Sequence, residues 1–120
     1  MAFHAFVVGA NYVDLEFART DAEGIAAALK ELDYKLPDPP IPPPEEDSGS
    51  ILISLKKFAD TCRPGDTLLF YFAGHGIQKS SLFLALDGYD SQHTLTTCLS
   101  ISDISNAFKE VESVTKIIIL

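Results

Sequence analysis

Residues 65–78 read GDTLLFYFAGHGIQ. Within this stretch Thr67–Ala73 is an almost continuous apolar run, rich in Leu and Phe. Runs of this kind belong to central strands of parallel sheets, which are covered on both faces and so show no polar alternation. Arg63-Pro64-Gly65-Asp66 before it is turn chemistry. Directly after it stands Gly74-His75-Gly76, a histidine two residues beyond the strand and flanked by glycines.

Working outward, residues 3–9 (FHAFVVG) form a second short apolar run, expected to be a buried strand ending at Gly9. From Thr20 the spacing turns helical. Ala22, Ile25, Ala26, Leu29 and Leu32 fall on one face, with Thr20 or Asp21 as the expected cap. Tyr34–Leu36 can begin a short strand. A further helix is expected from a cap at Ser48 or Ser50, with Ile51, Leu52, Leu55, Phe58 and Ala59 inward. Residues 82–86 (LFLAL) suit another strand. Ser100 with Asp103 fits a capping box ahead of Ile101, Ile104, Phe108 and Val111. KIIIL, residues 116–120, is a final β-branched strand, expected beside Thr67–Ala73 at the centre of the sheet and buried on both faces.

Six of the seven prolines crowd into residues 37–44, followed by Glu45, Glu46 and Asp47. Proline supplies no amide donor and fixes φ, so segment 37–47 is expected to be an exposed, extended and dispensable connector. Strands alternating with helices predict one α/β domain over residues 1–120, with a mainly parallel central sheet. Its last strand has nothing after it, so the fold is expected to be incomplete at the carboxyl end.

The charge of −8 and a total of nine Lys and Arg exclude a clustered basic surface, so no nucleic-acid partner is expected. No apolar run approaches the ~20 residues that span a bilayer, so no membrane partner is expected either. The first ten residues lack the features of a signal peptide. Two cysteines, Cys62 and Cys98, are too few for a disulfide framework and point to a reducing, cytoplasmic compartment. His4 and His93 have no ligand spacing around them, and no metal motif is present. Composition leaves the oligomeric state open.

In open α/β sheets reactive groups gather beyond the carboxyl ends of the strands. His75 stands at such an end, and histidine is the usual proton shuttle near neutral pH. Glycine on both sides removes side-chain bulk, so a substrate backbone can approach the imidazole. A loop histidine with a purely structural role is the competing reading.

GDTLLFYFAGHGIQ resembles the histidine motif of the caspase and metacaspase superfamily, the C14-type cysteine peptidases. FHAFVVGANY and ARTDAEGIAAALKELDY are similar to that family's first strand and helix, and KIIIL to the strand that leads into its Asp-x-Cys nucleophile motif. The resemblance implies a three-layer caspase-like fold and a cysteine-type endopeptidase. It makes His75 the general base and acid of a Cys-His dyad, Gly76 N–H an oxyanion donor, and peptide or protein the substrate. Asp21 matches an acidic residue that lines a pocket for basic P1 side chains, the alternative being a helix-cap carboxylate. The arginine that gives caspases their Asp preference is replaced by Phe17, and the partner of the metacaspase aspartate by Ala18. Calcium is a family cofactor whose usual acidic segment is shortened here to KSSLFLALDGYD, so no cofactor is expected; Asp87 and Asp90 are read as turn residues. The family's nucleophile would follow Leu120, and Cys62 and Cys98 are both expected away from His75. The 120 residues alone are therefore expected to be inactive. A non-catalytic pseudo-peptidase or interaction module is the alternative. A nucleotide-binding fold lacks support, because neither G-x-G-x-x-G nor G-x-x-x-x-G-K-[ST] occurs.

Overall fold

The computed structural model describes residues 1–12, 16–111 and 114–120. In chain order its elements are β1 (Phe3–Gly9), α1 (Ala18–Glu31), β2 (Tyr34–Lys35), α2 (Ser48–Ala59), β3 (Thr67–Ala73), β4 (Gly76–Gln78), β5 (Leu82–Ala85), α3 (Thr94–Thr97), β6 (Cys98–Ser100), α4 (Ile101–Lys109) and β7 (Thr115–Ile119). The main sheet has the order β2-β1-β3-β7, with every pair parallel. A second, antiparallel sheet, β4-β5-β6, follows directly from the histidine loop.

The two apolar runs behave as their composition requires. β1 and β3 pair along their whole length, from Phe3 opposite Thr67 to Gly9 opposite Ala73. Alternate side chains then feed two cores. Ala5, Val7 and Leu69 pack with Ala22 and Ala26 of α1 on one face. Phe6, Val8, Leu68, Phe70 and Phe72 pack with α2 and α4 on the other, joined by Leu84 and Leu99 of the second sheet. The result is three layers, helix–sheet–helix, as expected.

β7 departs from the expectation of two-face burial. It lies at the edge of the described sheet, and Ile117, Ile118 and Ile119 are 38%, 39% and 43% exposed. The physical difference from β3 is that β7 has a strand neighbour on one side only.

Two helix starts differ, and a third lacks its expected bond. α1 begins at Ala18, so Thr20 and Asp21 lie within its first turns, and Phe17 at the cap position makes no side-chain bond. Instead Asn11 Oδ1 accepts the Arg19 N–H (2.8 Å), while Asn11 Nδ2 donates to the Glu16 carbonyl (3.2 Å). A side chain from the end of β1 thus satisfies a donor that no local residue reaches. α2 is capped by Asp47, which accepts the Ser50 N–H (2.8 Å), and the buried Ser48 hydroxyl donates to the Leu95 carbonyl. Ser100 stands at the cap of α4 without making the capping bond.

The Pro-rich segment is a loop, but not a free one. Ile41 is buried among Ala5, Val7, Ala22, Ala26 and Leu69. Arg19 clamps the segment, donating from Nη2 to the Pro42 carbonyl (2.6 Å) and from Nη1 to the Gly9 carbonyl (3.3 Å).

Candidate active site

β1 and β3 stay joined to their carboxyl ends, where the Ala10 N–H donates to the Ala73 carbonyl (3.0 Å). Tyr12 and His75 each lie two residues beyond that link. His75 occupies the short passage between β3 and β4, and its carbonyl accepts the Ala85 N–H (2.9 Å). This bond fixes the backbone of the histidine to β5 and leaves its half-buried side chain at the carboxyl end of the main sheet.

The two flanking glycines have different reasons. A Cβ at Gly74 would meet the Phe72 ring at 2.7 Å and the Ala10 carbonyl oxygen at 3.1 Å. Gly74 is thus required by packing, which corrects the expectation that it clears room for substrate. Gly76 is exposed, and the nearest atom to a Cβ there is Leu82 Cδ1 at 3.3 Å. Gly76 faces Leu84 across β4–β5, and the neighbouring bond from Ala85 N–H to the His75 carbonyl makes this a non-hydrogen-bonded pair. The Gly76 N–H therefore points away from β5.

Aromatic rings gather around His75. The Tyr12 ring meets the imidazole edge-to-face at 6.0 Å and 83°, and meets Tyr89 at 5.1 Å and 89°. Both tyrosines are half-buried. Among the described residues no side chain hydrogen-bonds the His75 imidazole.

Asp21 is exposed on the first turns of α1. The start of that helix sits on the carboxyl end of β1: a Cβ on Gly9 would meet Ala22 Cβ at 2.6 Å and Arg19 Cα at 2.9 Å. Asp21 and His75 therefore share one end of the sheet, although among the described residues no hydrogen bond joins them. Asp21 stands in the first turn of α1, where Asn11 accepts the Arg19 N–H.

The two cysteines differ. Cys62 lies in the turn before β3, at the opposite end of the sheet from His75, and burial, with the charge of Asp66, raises its thiol pKa. Cys98 is nearer than expected. It pairs with Ala85 in β5–β6, so it stands two strands across from the histidine, roughly 10 Å by strand spacing. It is buried, and burial, partly offset by Lys79 and Thr97, raises its pKa. A raised thiol pKa is the reverse of what a nucleophile needs.

Asp90 is a turn residue as read: it accepts the Gln92 N–H (2.9 Å) and pairs with His93 Nδ1 (2.9 Å). Among the described residues no three His, Cys, Asp or Glu gather as a metal site. Nor, among them, is any helix long and apolar enough to cross a membrane.

At the other end of the sheet lies a cluster that the turn chemistry of residues 63–66 does not announce. The buried Asp66 carboxylate accepts the Arg63 N–H (2.9 Å) and the Ala2 N–H (2.8 Å), and pairs with buried His4 Nε2 (2.9 Å). The amide bonds from Arg63 and Ala2, then His4, hold the Asp66 carboxyl well below the usual carboxylate range. Its partners lie up to 64 residues away, so no local signal marks it. A cleft of about 700 Å³ opens between α1, β2 and the Pro-rich loop, lined by Lys30, Tyr34, Pro40 and Ile41 among others. It flanks β2, which pairs only with the amino end of β1, and so lies away from His75.

The family described as caspase domain, of peptidase C14 type, matches residues 2–120. Among solved structures, the crystal structure of a Geobacter sulfurreducens protein superposes with a TM-score of 0.70 at 15% identity, over 98% of this chain and 49% of that one. The chain thus spans about half the length of the solved structure it matches, and the likeness is one of fold. No curated protein matches it. The match over nearly its whole length places the chain in the caspase domain family.

Proposed function

We propose that this member of the caspase domain family is the histidine-bearing part of a cysteine-type endopeptidase of metacaspase-like kind, with His75 as general base and acid and Gly76 N–H as an oxyanion donor. The observation that carries the reading is the parallel register of β3 and β7, in which Thr67 to Tyr71 each face the residue 48 positions later. Continued at that register in a longer chain, the third residue past Leu120 falls opposite His75. That is the place of the nucleophilic cysteine in the family motif that KIIIL resembles.

The chemistry follows from these positions. His75 takes the thiol proton, and the thiolate attacks the scissile carbonyl carbon. The carbonyl oxygen gains negative charge and is met by the outward-pointing Gly76 N–H. As the C–N bond breaks, the imidazolium returns the proton to the leaving amine, giving an acyl-enzyme thioester. His75 then activates a water that releases the carboxylate product. Asp21, exposed at the same end of the sheet, supplies charge for a basic P1 side chain. Lacking a suitably placed thiolate, the 120 residues alone are inactive in this reading.

The test is a chain extended through an Asp-x-Cys segment, assayed on fluorogenic peptides with Arg or Lys at P1. Cleavage that disappears in the His75→Ala variant supports the proposal. Cleavage that survives this change, or a folded extended chain with no turnover, overturns it.

A further inference from the structure

A general base works only when its ring is held in one orientation, and in nucleophile–base pairs a third group usually provides this through a hydrogen bond. Among the described residues no carboxylate or carbonyl bonds the His75 imidazole. Tyr12 meets the ring edge-to-face at a centroid distance of 6.0 Å. That lies in the range where aromatic pairs attract through their quadrupoles. Tyr12 is in turn met at a near right angle by Tyr89, 5.1 Å away.

The three rings come from three separate chain segments: the residues after β1, the residues after β3, and the turn after β5. Each segment is anchored by backbone bonds. Ala10 is bonded to Ala73, His75 to Ala85, and the Tyr89 N–H donates to the Leu86 carbonyl (3.0 Å). The stack therefore ties the imidazole to both sheets at once. Among the described residues the Tyr12 hydroxyl makes no hydrogen bond, so the ring, not the phenol, carries the contact.

We propose that Tyr12 is the positioning residue for the His75 imidazole, with Tyr89 bracing Tyr12. The proposal rests on the reading of His75 as the general base, but its test does not need activity. In ¹H–¹³C NMR spectra of the 120-residue chain, the unmodified protein should show cross-relaxation between the Tyr12 and His75 ring protons. Tyr12→Leu should shift the His75 ring resonances and average the His75 side-chain couplings between rotamers. Tyr12→Phe should restore the wild-type values, and Tyr89→Leu should give a smaller change of the same kind. Backbone amide shifts along β3 that remain native would show that the fold is kept.

Absence of Tyr12–His75 cross-relaxation in the unmodified chain overturns the proposal, even if Tyr12→Leu fails to fold. So does a folded Tyr12→Leu variant with unchanged His75 ring shifts and couplings. A Tyr12→Phe variant that resembles Tyr12→Leu would assign the effect to the hydroxyl and overturn the ring argument. Failure of an extended chain to cleave peptides would instead sink the peptidase reading while leaving this geometry intact.

Discussion

Ile119 faces Tyr71 in parallel register, so β7 runs toward the same end of the sheet as the histidine loop that follows β3. A chance histidine in a loop has no reason to overhang the end of the neighbouring strand. The expected outcome in an extended, nucleophile-bearing chain is that His75→Ala lowers kcat by at least about 10²–10⁴-fold, the share of positioned proton transfer. The unextended chain should leave Arg, Lys and Asp peptides intact. Turnover by the unextended chain that is lost on changing Cys98 would reverse the assignment of the nucleophile.

Asp21 is exposed, and this sets the size of its effect. A desolvated ion pair broken at one partner costs several kcal/mol, but an exposed pair is worth about 0.2–1 kcal/mol. Asp21→Asn in the extended chain should therefore lower kcat/KM for Arg substrates by up to about fivefold. The check is the ratio of kcat/KM for Arg and Asp substrates, which should fall in the variant. An unchanged ratio would remove Asp21 from the substrate pocket.

Gly9 lets α1 sit against the end of β1. A methyl group there would meet Ala22 Cβ at 2.6 Å, Arg19 Cα at 2.9 Å and the Ala18 carbonyl at 3.0 Å. Two of those three neighbours are backbone atoms that cannot swing aside, so Gly9→Ala should destabilise by about 1–3 kcal/mol. Adding Ala22→Gly removes the closest of the three contacts and should recover part of the loss. Urea unfolding of the single and double variants measures both, and a Gly9→Ala midpoint equal to wild type would contradict the close approach.

How much of this was legible in the residues follows from where each element's stabilisation comes from. β1 and β3 were bounded correctly because their apolar runs are continuous and the sheet buries both faces. β4, β6 and α3 are three or four residues long and carry no periodicity of their own. β4 and β6 exist because β5 offers each of them a partner, which is a tertiary cause. The start of α1 has a related cause: Asn11 caps it from outside the helix, across the residues that follow β1. His75 and Gly76 stand out as a motif at a strand end, whereas Tyr12 carries no signal of its own. Nothing in GANY announces a ring seated on an imidazole more than sixty residues later.

Ile41 overturns the expectation that the Pro-rich segment is dispensable. Its side chain enters the core formed by β1, β3 and α1. Ile41→Ala should cost about 2–5 kcal/mol, as for other buried truncations. Pro44, exposed on the same loop, should tolerate the same change within about 0.5 kcal/mol. Equal and small effects at both positions, measured by thermal or urea unfolding, would return the loop to the status of a passive connector.

Asp66 should set the protein's acid limit. Its carboxylate is held low by the Arg63 and Ala2 amides and by His4, so the folded state binds a proton less readily than the unfolded chain, whose Asp titrates near ~3.9. A folded pKa below the unfolded one contributes stability that is complete above the unfolded value and is lost as pH falls toward the folded one. Stability should therefore hold from neutrality down to about pH 5 on this account and fall steeply below about pH 4. Asp66→Asn keeps the shape but removes the charge that the two amides and His4 address. It should lower Tm at neutral pH and flatten the acid limb, since the variant no longer has that proton to take up. Because the Asp66 carbonyl also accepts the Thr115 N–H (3.0 Å), loosening this corner should be felt in β7 before the β1–β3 pair. Hydrogen exchange at Thr115–Ile119 in the variant measures this. A stability profile below pH 4 that is parallel in wild type and variant would show that another carboxylate sets the acid limit.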